Sequence, residues 1–165
     1  MAKGDFDVLV EGTLLDRLID RDPDASGDRP ISRPDSIREY KLGLQRDLEW
    51  LLNTRRVNDP DTGRLPELAR SVYHYGLPDL TSLSRDSGDS LSKLVAYVEQ
   101  ALALFEPRLT NIKVSLAPQE DTPLSDVRLQ VEAVLRLEPT PERITFDTVM
   151  HKANGDIEVP GIRDA

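Results

Sequence analysis

Two periods divide this chain. Before residue 106 apolar side chains recur every three or four positions, and beyond it they recur every second position. Ile37, Tyr40, Leu44, Leu48, Leu51 and Leu52 form one helical stripe, with Asp35 or Ser36 as its cap and Arg38, Lys41, Arg46, Asp47 and Glu49 on the remaining surface. Trp50, the one tryptophan, sits beside that stripe and reads as core or interface, with core preferred. A second stripe, Leu91, Leu94, Val95, Val98, Leu102 and Phe105, predicts a helix that ends near Phe105. Pro107 enforces that end, because it lacks an N–H and biases Glu106 away from helical geometry. Ile112, Val114 and Leu116 then alternate with Asn111, Lys113 and Ser115 as in a half-buried strand.

The alternation is clearest from Asp126 to Leu137. Val127, Leu129, Val131, Ala133, Leu135 and Leu137 alternate with mainly polar residues, Val134 being the one lapse, and Pro139 and Pro141 close the strand. Ile144, Phe146, Thr148 and Met150 predict a further strand. Asn154-Gly155 predicts a hairpin, and Ile157 and Val159 a short return. Nearer the start, Thr13 caps a short helix carrying Leu14, Leu15, Leu18 and Ile19. Residues 20–34 hold three prolines, a glycine and four aspartates and read as a loop or mobile arm. Asn58 to Gly63 reads as a turn, and a helix from Pro66 to Tyr73 is expected to stop at Gly76. Helices in a run followed by strands in a run indicate an α+β fold, with N-terminal helices on one face of a mainly antiparallel sheet and a C-terminal β meander. The expected organisation is a short helix and flexible arm over residues 1–34, then one α+β domain over 35–165.

Composition narrows the function. A chain of 165 residues with 38% hydrophobic and 31% charged residues suits one domain with a real core. Its net charge of −9 opposes non-specific nucleic-acid binding, which needs a clustered basic surface. The absence of cysteine removes disulfide and thiolate chemistry. No apolar run approaches the roughly 20 residues of a membrane span, and the first residues lack a signal-peptide apolar region. A soluble cytoplasmic protein is the expectation.

Candidate chemistry concentrates at the junction between the two periods. Glu106, Pro107 and Arg108 place a carboxylate and a guanidinium two residues apart around a rigid ring, and the expectation is that the helix-to-strand corner displays them. Two readings stand. The pair recognises a partner, or it binds local groups and holds the turn. A glycosidase would use two carboxylates about 5 to 9.5 Å apart, one of them protonated. Glu106 is the tempting acid, but a guanidinium two residues away favours the carboxylate form. His74 and His151 lie in no metal-ligand spacing, the former reading as packed or surface and the latter as the outward residue of a strand. The nine glycines form no phosphate loop, and no serine sits in a nucleophile elbow. No cofactor is expected.

Four blocks carry a resemblance: LLDRL at Leu14–Leu18, LQRDLEWLLNTRR at Leu44–Arg56, SVYHYGLPDLTSLS at Ser71–Ser84 and FEPRL at Phe105–Leu109. In order and spacing they resemble the TssE family, baseplate wedge subunits of type VI secretion systems that are related to a wedge protein of contractile phage tails and sometimes labelled lysozyme-like. The resemblance implies a non-enzymatic baseplate part, in the cytoplasm, docked at the inner membrane through other subunits without inserting. Its implied partners are the helical core bundle of neighbouring wedge subunits and the contractile sheath, not nucleic acid. Glu106, Pro107 and Arg108 are then the partner-binding residues, and the sheet resembles one that neighbouring sheath chains extend. A generic α+β adaptor is the alternative, with a peptidoglycan glycosidase behind it.

Overall fold

Thr13 caps α1 (Leu14–Leu18) in the computed structural model, which describes residues 9–19, 24, 31–57, 64–79, 88–117, 126–151 and 155–164. Its hydroxyl accepts from the Asp16 N–H, while the Asp16 carboxylate accepts from the Thr13 N–H, so two otherwise unpaired donors are satisfied reciprocally. The helix is held to the body by that same carboxylate. Asp16 lies over Gly43, where a Cβ would stand 2.8 Å from its oxygens, so a side chain at this position would push the carboxylate aside.

The long helix α2 runs Arg33–Asn53. It starts earlier than its apolar stripe suggests. Ser32 caps it and Pro34 sits in the first turn, where no N–H is needed, so Asp35 and Ser36 lie inside the helix. Ser36 is buried, and its hydroxyl accepts from the Val10 N–H at 3.2 Å, anchoring the N-terminal segment. Leu44, Leu48, Leu51 and Leu52 are buried as expected, with Ile37 and Tyr40 packed at the margin. The core reading of Trp50 is corrected: the ring is 52% exposed, with the Arg46 guanidinium 5.0 Å from its centre. At 3.6 residues per turn it stands about 200° round from Leu48, on the far side.

The expected helix from Pro66 to Tyr73 is shorter. It forms α3 (Pro66–Ala69), and the chain then turns through a 3₁₀ segment at Val72–His74. Gly76 follows with φ 104°, and a side chain there would run into the Thr54 carbonyl. The contact exists because Leu77 and Thr54 lie side by side, with Leu77 N donating to Thr54 O and Arg56 N to Leu77 O, both at 2.9 Å. Next, α4 (Gly88–Phe105) buries Leu94, Val98, Ala101 and Leu102 and ends where Pro107 requires. The expected turn at 58–63, most of the 20–34 arm and Asn154 lie outside the described residues.

The sheet comprises β1 (Leu109–Leu116), β2 (Val127–Leu135), β3 (Glu142–Met150), β4 (Ile157–Glu158) and β5 (Ile162–Asp164), all antiparallel. Its order is β1-β2-β3-β4, with β5 also against β3. Thus β4 and β5 form one edge, interrupted at Pro160-Gly161, and β5 is the strand that alternation did not predict. In β1, Asn111 and Ile112 together face Ala133, a bulge in which Asn111 adopts φ 52°. The bulge displaces the expected alternation. Val114 is buried, Ile112 only partly so, and Leu116 is 41% exposed. Val127, Leu129, Val131, Ala133, Leu135, Ile144, Phe146, Thr148 and Met150 all point under α2 and α4. Each fully buried apolar side chain contributes roughly 1.5–3 kcal/mol. The opposite face carries Arg128, Glu132 and Arg143 to solvent.

A candidate partner-binding corner

Glu106 does not display its charge. It is 5% exposed, and both of its oxygens are taken by Arg108, Oε1 by Nε and Oε2 by Nη2, each at 2.6 Å. The expectation of a displayed ion pair is therefore corrected. Pro107 forces a tight turn that folds the guanidinium back on the carboxylate. Glu106 N still closes the last helical turn on Leu102 O, and Leu109 N donates to Glu106 O. What the corner presents outward is Pro107 itself.

The pair is the end of a longer ionic chain. Arg108 Nη2 also donates to Asp47 Oδ2 at 2.8 Å, Asp47 Oδ1 accepts from Arg46 Nη2 at 2.7 Å, and Arg46 Nη1 lies 2.9 Å from Asp16 Oδ1. Charges alternate from the corner through α2 to the cap of α1. Burial works against the Arg108 charge, but Glu106 and then Asp47 outweigh it and hold the guanidinium well above its ordinary pKa. Burial likewise opposes ionisation of Asp16, and its Thr13 hydrogen bonds together with Arg46 reverse that, leaving it below the usual carboxylate range. The Arg108 guanidinium also lies 5.7 Å from the Tyr40 ring centre.

Beside the corner is a groove of about 340 Å³ lined by Thr13, Asp47, Leu51, Tyr75, Phe105, Glu106, Pro107 and Arg108. Tyr75 and Phe105 meet edge to face with ring centres 5.3 Å apart, giving it a rigid aromatic wall. Sequence reasoning found three of these residues. Asp47, Leu51, Tyr75 and Thr13 carried no signal linking them to the corner, since α2, α1 and the 3₁₀ turn meet it only through the fold.

The two histidines lie elsewhere. His151, just beyond β3, has Nδ1 2.9 Å from Asp126 Oδ2 and Nε2 3.4 Å from Glu158 Oε2. His74 Nε2 lies 2.8 Å from Arg56 Nη1, and its buried Nδ1 has no hydrogen-bond partner among the described residues. No described helix is long and apolar enough to cross a membrane.

Together these features define an α+β domain whose charged corner is neutralised internally and set beside an aromatic groove. A sequence model of the family described as baseplate wedge protein gp25 matches residues 38–140, more than half of the chain. The chain belongs to that family, structural baseplate proteins of phage-like contractile assemblies. No match was found among curated proteins or solved structures.

Proposed function

We propose that this protein is a cytoplasmic wedge subunit of a type VI-like contractile injection baseplate. It docks onto the helical core bundle of neighbouring wedge subunits through Glu106, Pro107 and Arg108, and it offers a sheet on which the sheath begins to polymerise. Its role is structural and not enzymatic, and a single domain from residue 35 onward carries it. The observation behind the docking reading is the neutralised corner beside its groove. A partner approaching it meets carboxylates already paired with Arg108, together with the Pro107 ring and the apolar surface of Leu51, Tyr75 and Phe105. Glu106 and Arg108 then act from within, as the frame that sets the ring's position. Both carboxylates of the groove, Asp47 and Glu106, are engaged by Arg108, which leaves a glycosidase no free acid there.

The test is co-purification with wedge subunits. Pro107→Asp puts an unpaired charge into the proposed contact and should abolish capture while the melting temperature stays within a few degrees of wild type. Capture unchanged in a folded Pro107→Asp protein removes the corner from the interface. Capture of unrelated proteins, or turnover of labelled peptidoglycan at pH 5 or 7, overturns the baseplate reading itself.

A further inference from the structure

The two edges of the sheet are not equivalent. At β4 the phase is set by His151 N, which donates to Asp156 O at 2.8 Å. Residues 156 and 158 therefore face β3, and Ile157 and Val159 turn their N–H and C=O groups outward. Every one of those outward groups is occupied by a side chain of α2. The Asn53 amide makes both bonds to Ile157, donating to its carbonyl at 2.7 Å and accepting from its N–H at 2.8 Å. Glu49 Oε1 accepts from Val159 N at 3.2 Å, and Gln45 Nε2 donates to Val159 O at 2.6 Å. One helical turn further back, Lys41 binds Glu142 of β3 and Asp164 of β5. Lys41, Gln45, Glu49 and Asn53 thus form a file along one side of α2, each four residues from the next.

At the other edge, Ala117 N donates to Arg128 O at 3.0 Å, so residues 115 and 117 face β2 while Val114 and Leu116 turn outward. Among the described residues no hydrogen bond reaches those outward groups. Leu116, on the helix-covered side of the sheet, is 41% exposed, and among the described residues no strand lies beyond it.

We propose that the α2 file is a built-in substitute for a neighbouring strand, and that it directs growth of this sheet to β1 alone. The occupant of the β1 edge is an extended segment of a sheath-type partner. A main chain in extended form presents N–H and C=O groups at the spacing that Val114 and Leu116 offer, and no helix side chains of this protein take that place among the described residues. Open edges template unwanted pairing, and the file removes that hazard from β4. The consequence for sheath growth rests on the strand-acceptance reading above, whereas the inequality of the edges does not.

Amide hydrogen exchange on the purified protein tests the inequality. Ile157 and Val159 should exchange at least roughly tenfold more slowly than Val114 and Leu116, the factor that one retained hydrogen bond supplies. Asn53→Ala should speed exchange at Ile157 by a similar factor and leave Val114 unchanged. Equal rates at the two edges, or an Asn53→Ala protein with Ile157 still protected, overturn the proposal. Leu116→Pro then deletes an outward N–H while sparing the β2 ladder. It should retain wedge capture and stop sheath nucleation. Normal nucleation by a folded, wedge-competent Leu116→Pro protein overturns strand acceptance at β1, even where the exchange rates confirm that the β4 edge is closed.

Discussion

Arg108 Nη2 meets Asp47 Oδ2 at 2.8 Å across 61 positions of sequence, while the same guanidinium holds Glu106 two residues away. The first bond ties the corner to α2, and the second gives the corner its shape. Such a buried pair adds little net stability over an apolar replacement, but removing one member strands the other.

Arg108→Ala is therefore expected to destabilise the isolated protein by about 3 kcal/mol, because the 5% exposed Glu106 carboxylate loses its partner. Asp47→Asn should cost less, about 1 kcal/mol, since Arg108 keeps Glu106. Urea midpoints at constant slope are the measurement. An Arg108→Ala midpoint equal to that of wild type would show that the network does not hold the corner.

Gly76→Ala should be severely destabilising, by about 2 kcal/mol or more. Its φ of 104° and the Thr54 carbonyl facing it both exclude a side chain. The lesion should open the pairing of residues 54–56 with Leu77, visible as faster amide exchange at Leu77 and Arg56. A variant as stable as wild type would mean that this crossing is not fixed in solution.

The histidines should respond to pH in opposite directions. Hydrogen bonds to Asp126 and then Glu158 raise His151 above its ordinary value of 6.5, so its stabilisation is full below that value and lost as pH climbs through the raised one. Burial, then Arg56, lowers His74 from 6.5, so its contribution is full above that value and lost as pH falls through the lowered one. Ring-proton titration by NMR should place the two midpoints on either side of 6.5. Added salt should pull the His151 midpoint back, because that ring is exposed. Midpoints in the reverse order would sink this assignment.

Trp50 should fluoresce as an exposed indole, red-shifted and readily quenched by acrylamide, and Trp50→Ala should cost no more than about 1 kcal/mol, the contribution of the lost Arg46 contact. A blue-shifted, protected emission from the isolated protein would instead place the ring in a core.

Much of the fold is legible because burial writes a period. Val127 to Leu135 and Ile144 to Met150 alternate in sequence and alternate in the sheet. Ile162 to Asp164 escapes because three residues after a Pro-Gly break are too few to show a period. Trp50 misleads only when its chemistry is weighed above its angle. The candidate site is legible in one part: Glu106, Pro107 and Arg108 are adjacent and conspicuous, but Asp47 and Tyr75 join them through tertiary contacts that no local spacing encodes. The α2 file did leave a trace, polar residues at 41, 45, 49 and 53 flanking the apolar stripe. It reads as an ordinary wet helix face until the strand beside it is known.

That file also works as a vernier. Four residues of helix advance about 6.0 Å, whereas two residues of strand advance roughly 6.4 to 6.8 Å. The two rulers differ by only about 0.4 to 0.8 Å for one step and drift out of phase over several. A helix can therefore impersonate a strand only briefly. The short β4 and the break at Pro160-Gly161 lie where the rulers begin to part, and there a long, flexible lysine takes over from the amides. Lengthening β4 without breaking it would leave the later outward groups without a matching rung, so the limit on this edge is metrical as well as chemical.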